Sequence, residues 1–191
     1  MSESNNATLV TAGKPRVGGG LWRAPKGTTL PTDAVTALAG AFICMGYISD
    51  DGLTNDNSPE NTEVKAWGGD VVLNIATGRP DSFKFKLIEG LNVSIFESIY
   101  GAGNVTGSSI DNGISITANS KELSDYVYVV EMTLSGNVAK RIVIPCGKVT
   151  EIGSIEYKDE EPVGYELTVS ATPDTSGNTH YEYMKKSTTT L

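Results

Sequence analysis

One histidine (His180), two cysteines (Cys44 and Cys146) and a few clustered carboxylates are what this 191-residue chain offers for catalysis or metal binding. A lone imidazole in a polar C-terminal segment builds neither a histidine zinc site nor a triad, because both need several convergent groups. Neither cysteine has a neighbour at zinc-ligand spacing, and the strand-like context of each predicts a small buried hydrophobe. Asp50, Asp51, Asp56 and Glu60 supply the oxygens a hard cation takes, but they lack the glycine at position six and glutamate at position twelve of an EF-hand loop. Gly18-Gly19-Gly20 precedes Leu-Trp rather than Lys-Ser/Thr, so it reads as a flexible arm and not as a phosphate loop. Asp159-Glu160-Glu161 reads as a solvated turn. Paired glycosidase carboxylates would need a cleft lined by sugar-stacking rings, for which two tryptophans are thin support. The residue types predict no catalytic centre, no cofactor and no metal.

The four carboxylates lie in residues 49–61, a stretch with Leu53 as its one apolar side chain. It is read as a long polar loop between strands at residues 41–48 and 63–67, well beyond the roughly two to five residues of a hairpin connection. A long polar loop on a well-specified β body suggests a surface to be gripped by another molecule.

The elements that must carry it are mostly strands. Twenty-one glycines and many Thr, Val and Ser residues favour strands and turns. Residues 82–88 place Phe83, Phe85 and Leu87 on one face against Lys84 and Lys86. Gly68-Gly69 separates strands at 63–67 and 70–76, a hairpin or bulge signal. A single amphipathic helix is expected at residues 92–100, packing Leu91, Ile95, Phe96 and Ile99 on a sheet and ending at Gly101. Further strands follow at 113–118, 126–134, 138–144, 147–157 and 163–171. The expected fold is all-β (β-rich α+β): an antiparallel β-sandwich or distorted barrel with one packed α-helix. Residues 1–20 are expected as an extended N-terminal arm, 21–171 as the body, and 172–191 as a polar C-terminal arm with a frayed end.

The formal charge is −8. Residues 1–100 hold 8 basic and 11 acidic side chains and residues 101–191 hold 7 and 12, so both halves are acidic. No cluster of Lys and Arg is present to displace counterions from phosphates, which excludes tight nucleic-acid binding. No apolar run approaches the roughly 20 residues of a membrane span. The N-terminus also lacks a secretory signal pattern, which points to synthesis in a cytoplasm.

Seven segments in order resemble the major tail proteins of long-tailed, non-contractile bacteriophages, the tail tube family. They are residues 20–33 (GLWRAPKGTTLPTD), 46–54 (GYISDDGLT), 65–69 (KAWGG), 119–123 (NSKEL), 141–145 (RIVIP), 148–152 (KVTEI) and 177–183 (GNTHYEY). The resemblance implies a structural virion protein, made in the host cytoplasm, whose homo-hexameric rings stack into a tube for genome ejection. Tape-measure, tail-terminator and baseplate proteins are its implied partners, and DNA passes through the lumen without specific binding or membrane insertion. It also implies that residues 49–61 contact the neighbouring ring. Asp50, Asp51, Asn55, Asp56, Asn57 and Glu60 are then the expected contact residues, with Arg16, Arg23 and Lys26 as candidate basic partners. The terminal arms would join subunits or rings; separately from the resemblance, one of the polar faces, including Lys84/Lys86 or Glu131/Thr133, is expected toward the lumen. The competing reading is a carbohydrate-binding or adhesive β-sandwich, which would need exposed coplanar aromatics. Trp22 and Trp67 are far apart in sequence and are both read as strand residues.

Overall fold

The alternation at Phe83, Phe85 and Leu87 has its expected consequence: Ser82–Leu87 is a strand with those three side chains buried and Lys84 exposed. The computed structural model describes residues 4–187. Its strands are β1 (Gly13–Pro15), β2 (Leu21–Pro25), β3 (Ile43–Cys44), β4 (Ile48–Asp56), β5 (Glu60–Lys65), β6 (Val71–Gly78) and β7 (Ser82–Leu87). Helix α1 (Val93–Tyr100) follows, then β8 (Val105–Thr106), β9 (Ser115–Ile116), β10 (Tyr126–Leu134), β11 (Val138–Ile152), β12 (Tyr165–Ala171) and β13 (Tyr181–Lys186).

Nine strands make one antiparallel sheet in the order β3-β2-β10-β11-β12-β7-β4, with β1 also on β10 and β13 also on β11. The β5–β6 and β8–β9 pairs stand outside it, and the sheet does not close into a barrel. The antiparallel β-rich fold with one helix agrees with the sequence expectation.

The centre of the sheet is buried on both faces, which is why residues 126–130 read as an unbroken apolar run rather than an alternation. Tyr128, Val130, Ile142 and Ile144 join one core with Phe83, Phe85, Leu167 and Val169. Val127, Val129 and Val143 point the other way, onto Ala24 and Phe42. In place of the strands expected at 138–144 and 147–157 there is one fifteen-residue strand, β11, which runs through Pro145 and ends at Ile152, leaving residues 153–157 outside it. Proline has no N–H to give to a ladder. Here it falls where the β10–β11 register shifts and where β11 changes partner from β13 (Val138–Val143) to β12 (Gly147–Ile152).

Helix α1 is capped by Asn92, whose side chain accepts from the Ser94 N–H at 3.0 Å, and it ends at Gly101 with φ +87°. Ile95, Phe96 and Ile99 are buried against the main core. Burying those three side chains contributes roughly 5–9 kcal/mol before ordering entropy. Leu91 is a correction, since it precedes the helix and is exposed. Arg23 ties the helix to the sheet with Nη2 2.7 Å from Glu97 and Nη1 2.7 Å from Ser98, and its guanidinium lies 4.3 Å from the Tyr126 ring centroid.

Three other expectations change. Residues 49–61 are not a loop: most of them are β4, paired with β7 through Leu53↔Phe85 and Asn55↔Phe83. The apolar run at 41–48 is strand only at Ile43–Cys44 and again from Ile48, while Phe42 and Met45 are buried from irregular backbone. Residues 181–186, expected in a polar arm, form β13, with Tyr181 and Tyr183 packed on the second core. At the other end, β1 pairs with β10. The expected fraying at Thr188–Thr190 lies outside the described residues.

Candidate functional site: an uncovered β-ribbon

Between β4 and β7 the chain leaves the sheet as a two-stranded ribbon, β5 and β6, turning at Gly68 and Gly69 with φ of +119° and +100°. Those φ values suit glycine and no other residue comfortably. The turn closes by Ala66 N–H to Asp70 O at 2.8 Å and Gly69 N–H to Ala66 O at 3.0 Å. Cross-strand partners share a face. Val64↔Leu73 and Thr62↔Ile75 therefore make one largely apolar face, while Glu63↔Asn74 and Asn61↔Ala76 make the other.

Nothing among the described residues covers the apolar face. Val64 is 40% exposed, Leu73 53% and Ile75 45%, and Trp67 in the turn is fully exposed. A lone two-stranded ribbon is marginal in water, so an apolar face left open marks a surface that works by being covered. Sequence reasoning expected the Gly68-Gly69 hairpin but missed its role. The signal in the sequence reached only as far as the hairpin, with apolar residues on both sides of a glycine turn. Trp67, read as a strand residue, stands in the turn beyond Lys65.

The root of the ribbon is held by a polar cluster. Asp81, whose side chain is fully buried, accepts from Asn55 Nδ2 at 2.8 Å and lies 2.6 Å from His180 Nδ1. Burial works against the charged form of Asp81, but donors from Thr179, His180 and Asn55 outweigh it and hold its pKa below the ordinary carboxylate value. His180 also meets the Phe83 ring edge-on at 5.4 Å. The histidine thus acts as a tie between the ribbon root and β13. Arg79 adds a second tie, donating from Nε to Asn57.

The residues expected at an inter-ring contact are spread along this region. Asp50 and Asp51 are exposed where the β4–β7 register shifts, and Asn55 is spent on Asp81 and the Ser82 carbonyl. Asp56 accepts from Ser58 Oγ at 2.9 Å, Asn57 meets Arg79, and Glu60 begins the ribbon. No group of three or more metal-ligating side chains converges among the described residues.

Of the three basic candidates, Arg23 is buried on Glu97 and Ser98 and cannot reach another subunit. Lys26 is exposed and bound to Asp125 at 2.8 Å, which raises its pKa. Arg16, partly exposed, bonds Glu131 at 3.0 Å. Glu131 is itself buried and also binds Arg141, so it does not belong to an open polar face. Arg141, fully buried, donates to the carbonyls of Asp33 at 2.6 Å and Thr36 at 2.8 Å. Asp33 caps that same turn through the N–H groups of Val35 and Thr36, and these bonds, led by the Thr36 hydroxyl, lower its pKa to about 2.

Among the described residues, no helix is long and apolar enough to cross a membrane. A comparison with curated proteins returns no match. The family described as Phage tail tube protein matches residues 1–190, nearly the whole chain. A β-rich subunit with an apolar ribbon left open to solvent fits a structural component of the virion. The chain belongs to the phage tail tube protein family.

Proposed function

We propose that this subunit forms six-membered rings that stack into a hollow tube, the conduit for genome ejection, and that its ribbon is the main contact to a neighbouring copy. The observation that carries this reading is the open face of Val64, Leu73 and Ile75 on a ribbon that no other described residue covers. Strands β3 and β4 are the outer strands of the main sheet's path. Open edges are normally a liability, and pairing them between copies removes it. A head-to-tail interface of this kind closes into a ring or grows as a filament.

Charge is consistent with a conduit. Six chains of −8 sum to −48, and an anionic wall repels sliding DNA where a basic one would hold its phosphates. Lys84 does not offset this, being paired with Glu166 at 2.9 Å. The exposed carboxylates Asp50, Asp51, Asp56 and Glu60 lie on β4 and at the ribbon root, where they can meet the next ring. A tape-measure protein inside the tube, with terminator and baseplate proteins at its ends, completes the assembly. The role is structural and needs no catalytic residue.

Electron microscopy of the purified protein tests the reading. Six-fold rings with an open centre, stacked into tubes, are expected. A species that stays monomeric at high concentration would overturn it.

A further inference from the structure

We infer that Trp67, at the tip of the ribbon, inserts into a cleft on a second copy of this chain, between its N-terminal segment and residues 38–42. The inference rests on the assembly reading and specifies where the ribbon docks. The cleft has a volume of about 360 Å³ and is lined by Trp22, Leu38 and Phe42, with Gly19, Arg16 and Glu131 around them. That lies near the lower end of the range for binding pockets, roughly 300–1,000 Å³.

Both halves of the contact are preformed. The glycine turn holds Trp67 outward, fully exposed, where it contributes no packing to its own subunit. At the cleft, Trp22 donates its indole N–H to the Gly19 carbonyl at 3.1 Å. A side chain at Gly19 would come within 2.7 Å of the Trp22 ring and 2.9 Å of Cys44 Sγ, so that wall requires glycine. The turn at 33–36, which leads into the opposite wall, is anchored by the buried Arg141. A rigid aromatic anchor in a preformed pocket is the arrangement in which interface hot spots concentrate, and tryptophan is among the residues most enriched there.

Reach and charge agree. The six-residue β5 alone carries the tip about 20 Å from the ribbon root. Residues 60–78 carry Glu60, Glu63 and Asp70 against Lys65, a net −2, while residues 13–20 carry Lys14 and Arg16, a net +2. Arg16 is already paired with Glu131 in the cleft, so Lys14 is an exposed positive charge for the acidic ribbon to meet beside it, which favours encounter between copies.

The test places cysteines on either side of the contact and leaves the indole in place. Ala66 adjoins Trp67 and is exposed, and a side chain at Gly40 meets nothing within 4 Å. With the native Cys44 thiol beside the cleft replaced by serine (C44S), the double variant A66C/G40C is expected to form a ladder of disulfide-linked multimers under mild oxidation when assembled. Neither single variant, nor dilute monomer, should do so. In parallel, W67A should raise the critical concentration for assembly about thirty-fold or more, with W67F recovering part of the loss and circular dichroism unchanged. Tubes that form without the ladder, or W67A tubes at the wild-type critical concentration, would overturn this docking and leave the tube reading standing. Failure of the wild-type chain to assemble at all would instead remove the tube reading and the docking with it.

Discussion

Replacing Leu73 and Ile75 together by serine removes most of the ribbon's apolar face without touching either core. Those side chains are 53% and 45% exposed, so about half of each remains in water in the isolated subunit. Full burial of such a side chain contributes about 1.5–3 kcal/mol, so completing it between copies is worth roughly 0.8–1.5 kcal/mol each. L73S/I75S should therefore weaken each ribbon contact by about 1.5–3 kcal/mol, or about 10- to 150-fold in the association constant. Sedimentation velocity over a concentration series gives the critical concentration of variant and wild type. Urea denaturation of the dilute monomer provides the control, because substitutions at exposed positions change stability by about 0.5 kcal/mol or less. An unshifted critical concentration, with both proteins folded, would refute the argument that the ribbon is covered on assembly.

Two further outcomes follow from the polar clusters. R141M leaves Glu131 with Arg16 alone and strips the donors from the Asp33 and Thr36 carbonyls. Breaking a buried ion pair in this way should cost about 3–5 kcal/mol, read as a lower urea midpoint. Asp81 has a depressed folded pKa, so its contribution is complete above the unfolded value near 3.9 and is lost as pH falls through the lower folded value. D81N should flatten the acid limb of the stability curve below about pH 4, and hydrogen exchange should show β13 loosening first. A wild-type acid limb in D81N would remove Asp81 from that transition.

Shortening the ribbon is a cleaner deletion than removing residues 51–59. The latter cut takes out Leu53, which packs on the main core, and with it much of β4. Replacing residues 61–77 by an Asn-Gly turn should leave a folded monomer that forms no tubes.

What could be read from the sequence was what side-chain pattern alone decides. Phe83, Phe85 and Leu87, the Asn92 to Gly101 helix and the Gly68-Gly69 turn each carry their signal locally. Strand β4 was hidden because an edge strand is held largely by backbone hydrogen bonds, and Leu53 is the one core-facing residue in a run of acids and amides. Strand β13 was hidden for a similar reason, since its tyrosines alternate with Glu182 and Met184 in a segment that otherwise reads as a tail. Arg23 reads as a surface charge, and only the fold brings Glu97 and Ser98 to it across more than seventy residues. The ribbon was half legible. Its hairpin could be read locally, but that no other described residue covers it is decided by the fold.

The most direct test of the central claim is amide hydrogen exchange in dilute monomer and in assembled tubes, compared residue by residue across β5 and β6. In the monomer the ribbon is exposed along its length, so its amides should exchange within the fastest class. In tubes, residues 60–78 are predicted to gain more protection than any other segment. Tubes in which those amides still exchange at the monomer rate, with new protection elsewhere, would contradict the account.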